Sequence, residues 1–307
     1  MAGSEGQLVI TGSTYAGESA GQYIGTALLS AASLDSVTVL ENIKFKRVLN
    51  KVAGAGLVTA ADCDFTNAGT LTLTESVLSP TALKINIDLC SDTMAQDWLA
   101  AKMRAGRNNQ TIPQDFEQFV IGYLGETIAD HVETNFWNGA ASGGGFQGLA
   151  TDTTGVLATN TDVIDITPAT VTISNVLTEL NKVKNAIPDA VYGSADLNIY
   201  ISTKIMRLYI EKMANLGYLN QYHVGAAPLN FEGINLVHAP GLADNRMVAA
   251  RESNVFFGTD LFSDMTQLTI LPMNQIDGSS NVRFVAKFSA GGQVADGSQV
   301  VYYGTSA

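Results

Sequence analysis

Apolar residues recur at three- and four-residue steps through one long stretch of the chain: Phe116, Phe119, Val120, Tyr123, Leu124, Ile128, Val132 and Phe136. That spacing is helical. Pro113 suits the first turn, where its missing N–H would be unpaired anyway, and Asn138-Gly139 suits the stop, because both tolerate the left-handed conformation that ends helices. The pattern predicts a single helix over 113–138, roughly 39 Å long at 1.5 Å per residue and about twice a typical globular helix. Steps of four drift about 40° each around the axis, so the apolar stripe winds toward different neighbours. Gly122 and Gly125 each cost about 1 kcal/mol relative to alanine and are expected to admit another backbone. A glycine-rich loop follows, Ser142-Gly143-Gly144-Gly145-Phe146-Gln147-Gly148-Leu149. A rod followed by such a loop points to a scaffold element rather than a catalytic pocket.

Before the rod the period is two. Thr70-Leu71-Thr72-Leu73-Thr74 and Leu83-Lys84-Ile85-Asn86-Ile87-Asp88-Leu89 alternate, predicting long strands between about 43 and 90. The run Ala53-Gly54-Ala55-Gly56 is read as the tip of a long hairpin. Such a hairpin buries little alone and needs a neighbour to lie against. Residues 1 to about 40 are rich in Gly, Ser, Ala and Thr without periodicity, and read as an arm that orders on another surface. A short helix is predicted from 91 to about 104, capped by Ser91 or Asp92, with Met94, Trp98, Leu99 and Met103 inward.

After the rod the chain alternates. Thr167-Pro168 is expected to open a helix whose face is Ile173, Leu177, Leu180 and Val183, stopped by Pro188. Leu197 to Ile201 reads as an alternating strand, Thr203 to Leu216 as a helix closed by Gly217, and Gly233 to His238 as a strand ended by Pro240-Gly241. This is a compact α/β lobe. Strands then dominate: Met247 to Ala250, Val255 to Phe257, Gln267 to Leu271, Val282 to Phe288 and Val300 to Tyr303. Phe284, Ala286 and Phe288 fall on one face of their strand, and Arg283, Val285 and Lys287 on the other.

Composition sharpens this. The chain has 307 residues, 46% apolar, enough for a large core and two lobes. Only 15% are charged, well below an ordinary soluble domain. Neutral polar surface is cheaper to bury against a neighbour than charge, which favours extensive subunit contacts. The net charge is -12, and the densest basic group, Lys44-Phe45-Lys46-Arg47 with Lys51 beyond, reads as a solvated strand. No broad basic face for phosphate neutralisation is visible. The first residues lack the pattern of a signal peptide, and no stretch approaches the length that spans a bilayer. An intracellular, soluble product is the expectation, so the Asn109-Gln110-Thr111 sequon carries no meaning.

Catalytic chemistry finds little support. Gly143 to Gly148 fits G-x-G-x-x-G, but that pattern works between a strand and a helix N-terminus, and here it follows a helix. His131, His223 and His238 lack companions at ligand spacing and read as structural. Cys63 and Cys90 sit beside carboxylates that disfavour the thiolate, and are expected to be buried and reduced. The pairs Asp62/Asp64 and Asp115/Glu117 read as turn and helix-start residues. No catalytic, cofactor-binding or metal site is assigned, and an enzyme is not expected.

The order of these elements, with several local stretches, resembles the major capsid protein of tailed bacteriophages. The stretches are Leu73-Thr74-Glu75 with Val77-Leu78-Ser79-Pro80, Lys84 to Cys90 through Trp98, Pro113-Gln114-Asp115-Phe116, Asn135-Phe136-Trp137-Asn138-Gly139 and Asn254 to Leu261. The resemblance covers most of the chain from about Asn42. It implies the α+β capsid fold shared with encapsulins: an N-terminal arm (1–42), an extended β-hairpin loop lapping a neighbour (43–82), a peripheral domain with a spine helix at 113–138 (83–165), an α/β axial domain (166–250) and returning strands (251–307). It further implies self-assembly as hexamers and pentamers into an icosahedral virion shell, formed in the host cytoplasm around double-stranded DNA that is bound without sequence readout. Portal, scaffold and decoration proteins would be further partners; no cofactor or membrane is implied. Some members crosslink lysine to asparagine, but Lys51 has no identifiable partner in the sequence. An encapsulin-like compartment, a tail component and a soluble enzyme are the rival readings. Protein cargo, tubes or rings, and a lone monomer of about 32 kDa would respectively identify them.

Overall fold

The structure, a computed structural model, describes residues 33–61, 63, 69–90, 114–217, 229–260, 269–273, 276, 279 and 281–304. In chain order its strands and helices are Thr38–Leu40 (β1), Arg47–Ala55 (β2), Thr70–Leu78 (β3), Thr81–Cys90 (β4), Gln114–Asn138 (α1), Val156–Thr159 (α2), Ile164–Ile166 (β5), Val176–Ala186 (α3), Leu197–Ile201 (β6), Thr203–Asn215 (α4), Asn230–Phe231 (β7), Ile234–His238 (β8), Met247–Arg251 (β9), Val255–Thr259 (β10), Thr269–Pro272 (β11), Asn281–Val294 (β12) and Val301–Tyr303 (β13). The helix predicted over 91–104 lies outside the described residues. The fold is α+β, and the chain divides into two compact units; α1 and β12 each continue from one into the other.

The first unit holds 81–132 and 259–290 among its described segments. Its centre is β12, flanked by two antiparallel partners. β4 pairs from Thr81↔Ala290 to Cys90↔Asn281, and β11 from Thr269↔Val285 to Pro272↔Val282. Alternation sorts the faces as the sequence pattern requires: Val282, Phe284, Ala286 and Phe288 are buried, while Arg283 and Lys287 are exposed. On α1 the residues Leu124, Ile128, Ala129 and Val132 are buried at helical spacing. The close approach expected at Gly122 does not occur: among the described residues nothing lies within 4 Å of the position its Cβ would take.

The second unit holds 32–80, 133–258 and 291–307. Its main element is a six-stranded sheet of order β5-β13-β9-β6-β8-β7. β5 and β8 run parallel to their neighbours β13 and β6, and the remaining pairs are antiparallel. One face carries the core of Ile199, Ile201, Leu236, Met247, Val301 and their neighbours beneath Val176, Leu180 and Val183 of α3 and Ile205 and Tyr209 of α4. The other face is covered too. Tyr200 meets the Trp137 ring at 5.0 Å between centroids, and Tyr302 Oη donates to Ala150 O at 3.2 Å. Hence β6 does not behave as the half-buried strand its alternation suggested. All five of its residues are buried, and Asn198 is satisfied there by Asn235 Nδ2, its register partner, at 3.1 Å.

Two further departures have local causes. α3 begins at Val176, not at Thr167. The Asn175 side chain accepts from Thr172 N at 2.7 Å, offering the backbone a turn in place of a helical start. The Gly54–Ala55 pair lies within β2, opposite Leu71 and Thr70, so the connection of the hairpin runs from Gly56 to Gly69 rather than through 53–56. Both of those glycines have positive φ.

Candidate assembly surface

β2 and β3 form a two-stranded ribbon paired from Arg47↔Leu78 to Ala55↔Thr70. Residues directly opposite one another share a face. One face holds Leu78, buried, together with half-buried Leu49, Lys51 and Ser76. This side is fastened within the unit. Lys51 Nζ donates to Asp296 Oδ1 at 2.5 Å and Ser298 Oγ at 3.2 Å, Ser76 Oγ to Val294 O at 2.8 Å, and Gln293 Nε2 to Val77 O at 3.1 Å. Burial pushes the Asp296 carboxyl up, but the Lys51 and Ser298 donors outweigh it and hold the carboxyl below its usual range.

The opposite face carries Val48/Val77, Asn50/Glu75, Val52/Leu73 and Gly54/Leu71. Its apolar members stay in water: Leu71 is 69% exposed, Leu73 61% and Val52 60%. Leu57 and Val58, just past β2, are exposed as well, and Leu57 lies beside Gly54. The ribbon therefore turns its polar side inward and its greasy side outward. An exposed face that is apolar except at Asn50/Glu75, on a ribbon too thin to bury it, marks a candidate interaction site.

A second construction anchors the amino-terminal segment to α1. Ser33 Oγ donates to the Glu133 carboxylate at 2.7 Å, Trp137 Nε1 donates to Ser33 Oγ at 2.7 Å, and the Ser33 and Gly241 N–H groups also point at Glu133. Glu133 is 4% exposed, and its burial raises its pKa despite these donors. A side chain at Gly241 would overlap the Glu133 carbonyl, which is why glycine is required there. Beside the anchor, Leu34 and Val37 are buried, and β1 pairs in parallel with β10. Residues 33–40 thus order on this chain's own unit.

The glycine-rich loop serves α1 rather than a phosphate. It folds back so that Leu149 N donates to Phe136 O at 2.8 Å and Ala150 N to Trp137 O at 2.7 Å, satisfying carbonyls a helix end leaves open. Gly148 N is taken by Gly139 O at 2.9 Å. Cβ atoms at Gly139 or Gly148 would strike backbone. The Gly145 and Gly148 N–H groups are bonded to Ser142 O and Gly139 O, within the loop and its junction with α1.

The remaining chemistry-bearing residues are dispersed. His131 is exposed on α1, His238 is half-buried with Nε2 2.9 Å from Thr203 Oγ1, and His223 lies outside the described residues. Burial and Arg207 lower the His238 pKa. Cys63 is free and exposed, contrary to the buried thiol expected, because it sits in the loop beyond the ribbon instead of in a core strand; the Cys90 side chain lies outside the described residues. So do Asp62, Asp64 and the side chains of Asp115 and Glu117. The carboxylates with moved pKa values serve the fold. Ser253 and Arg251 hold Asp196 down at about 2. Separately, buried Glu179 is tied into the fold by hydrogen bonds from Lys182 and Tyr303. Among the described residues no group of three potential ligands could hold a metal, and no helix is long and apolar enough to cross a membrane. The alternation of Thr and Leu from 70 to 74 separates the two faces of the ribbon but does not say which of them turns to water.

No protein-family model and no curated protein matches the sequence. Solved structures do. The capsid of a native GTA particle matches with a TM-score of 0.61 at 13% identity, over 90% of this chain and 90% of that one. The capsid of Myoviridae phage XM1 matches at 0.53, with 13% identity over 88% and 90%. A virus-like particle from Pyrococcus furiosus matches at 0.52, with 10% identity over 93% and 98%. The chain has the fold of these capsid subunits.

Proposed function

We propose that this chain is the structural subunit of an icosahedral shell, associating with copies of itself as hexamers and pentamers to enclose double-stranded DNA in a virion assembled in the host cytoplasm. The observation that carries this is the two-way coverage: nine-tenths of the chain superposes on nine-tenths of a capsid subunit. The outward apolar ribbon supports it, as a lapping loop needs a neighbour. The layout follows the sequence reading: an arm at 1–42, an extended loop at 43–82, a peripheral domain over 83–165, an axial domain over 166–250 and returning strands over 251–307. Cohesion, not chemistry, is the work. The low charge density lowers the desolvation cost of repeated contacts, and a chain of net charge -12 holds DNA without adhering to it. Portal, scaffold and decoration proteins are the further partners of this reading.

Electron microscopy of the purified chain tests it. Closed shells with pentameric vertices are expected, containing DNA when taken from infected cells. Tubes, or a chain that stays monomeric at every concentration, overturn it; shells filled only with protein cargo identify a compartment instead.

A further inference from the structure

In the first unit, Lys84 of β4 and Lys287 of β12 stand directly opposite each other in register. Like charges so placed repel. Both are exposed, and neither makes a hydrogen bond or ion pair among the described residues. The next pair of the same face but one, Asp88 and Arg283, is neutralised at 3.1 Å. The two lysines line a recess of about 500 Å³, with Phe288 and Leu83 supplying apolar wall and Asp260 one carboxylate. Ser289, also lining it, has a buried Oγ without a hydrogen-bond partner among the described residues. Among the described residues two lysines against one aspartate leave an excess of positive charge in the recess, with a hydroxyl to spare. It is built to receive a single anionic group flanked by apolar surface.

The ribbon presents that combination. Glu75 is the one acidic residue in β2 and β3, sits between Leu73 and Val77 on the exposed apolar face, and makes no hydrogen bond or ion pair among the described residues. Resting on the self-association argued above, we propose that the apolar face of the β2–β3 ribbon of one copy seats against the β4–β12 recess of a second copy, with the Glu75 carboxylate between Lys84 and Lys287. Charge selects this occupant over nucleic acid. A phosphate backbone approaching a chain of net charge -12 is repelled at long range, whereas one carboxylate on an otherwise neutral face is not. The carboxylate then balances the excess positive charge of the described lining.

Carbodiimide coupling tests the pairing without altering the protein. Assembled particles mixed from 14N- and 15N-labelled chains are treated, digested and examined by mass spectrometry. An amide joining Glu75 of one isotope to Lys84 or Lys287 of the other supports the proposal. Particles in which neither lysine joins Glu75 overturn the pairing and leave the shell reading standing; a wild-type chain that never associates overturns both. Charge exchange gives a second reading. Glu75→Lys and Lys287→Glu are each expected to lower particle yield by about tenfold or more, and the double variant to recover it. A double variant no better than the singles overturns the proposal, with melting of the separated subunits confirming that each variant folds.

Discussion

Ser33 and Glu133 are 100 residues apart in sequence, yet the serine hydroxyl donates to the buried carboxylate at 2.7 Å while receiving the Trp137 indole N–H. Three segments of the second unit, the stretch before β1, the end of α1 and the Gly241 turn, converge on one side chain. The carboxylate thereby fixes where the amino-terminal segment ends its excursion and joins the fold.

Because burial raises the Glu133 pKa, folding is favoured by its neutral form. Its contribution is fullest below the unfolded value near 4.3 and is lost as pH rises through the folded value. Relative to Glu133→Gln, the wild-type subunit is expected to gain melting temperature on acidification across that window. Glu133→Ala strands the donors of Ser33 and Gly241, and should cost about 1–3 kcal/mol at neutral pH. Calorimetry across a pH series measures both.

The Lys51–Asp296 pair has the opposite sign. Asp296 titrates below its ordinary range, so the tie is present above about 3.9 and is lost as pH falls through the folded value. Lys51→Ala should cost only about 0.5–1 kcal/mol, as befits a partly exposed pair. Its effect is local: amide exchange in β2 and β3 is expected to accelerate while that of β6 and β9 stays unchanged. Exchange read by mass spectrometry checks this, and uniform acceleration would show a global effect instead.

Replacing Leu71 and Leu73 with serine removes outward apolar surface without opening a core, since both are already in water. The subunit's stability should shift by no more than about 0.5 kcal/mol per site. Association should fall, seen as a raised concentration threshold for particles in light scattering. Equal losses of folding and association would place these leucines in the subunit core.

Legibility in the sequence followed the length of each pattern. The 25-residue helix α1 was readable because its apolar spacing persists over many turns and a glycine closes it. α4 was readable for the same reason, ended by Gly217 with positive φ. β6 misled because both its faces are covered, a fact set by Trp137 and α3, which no local period encodes. The start of α3 misled because Thr-Pro is one of several valid openings, and the Asn175 side chain selects a later one. The ribbon's faces could be assigned from alternation, but not which of them turns to water. The Lys51 partner, 245 residues away, had no local trace at all.

The outward greasy side of the ribbon also bears on timing. Under the proposed self-association, a thin patch would give each pairwise encounter a short lifetime, and a subunit that lands askew would depart before its neighbours trap it. In the proposed shell, permanence would belong to the closed lattice, where many brief grips act at once, and not to any two molecules that meet alone.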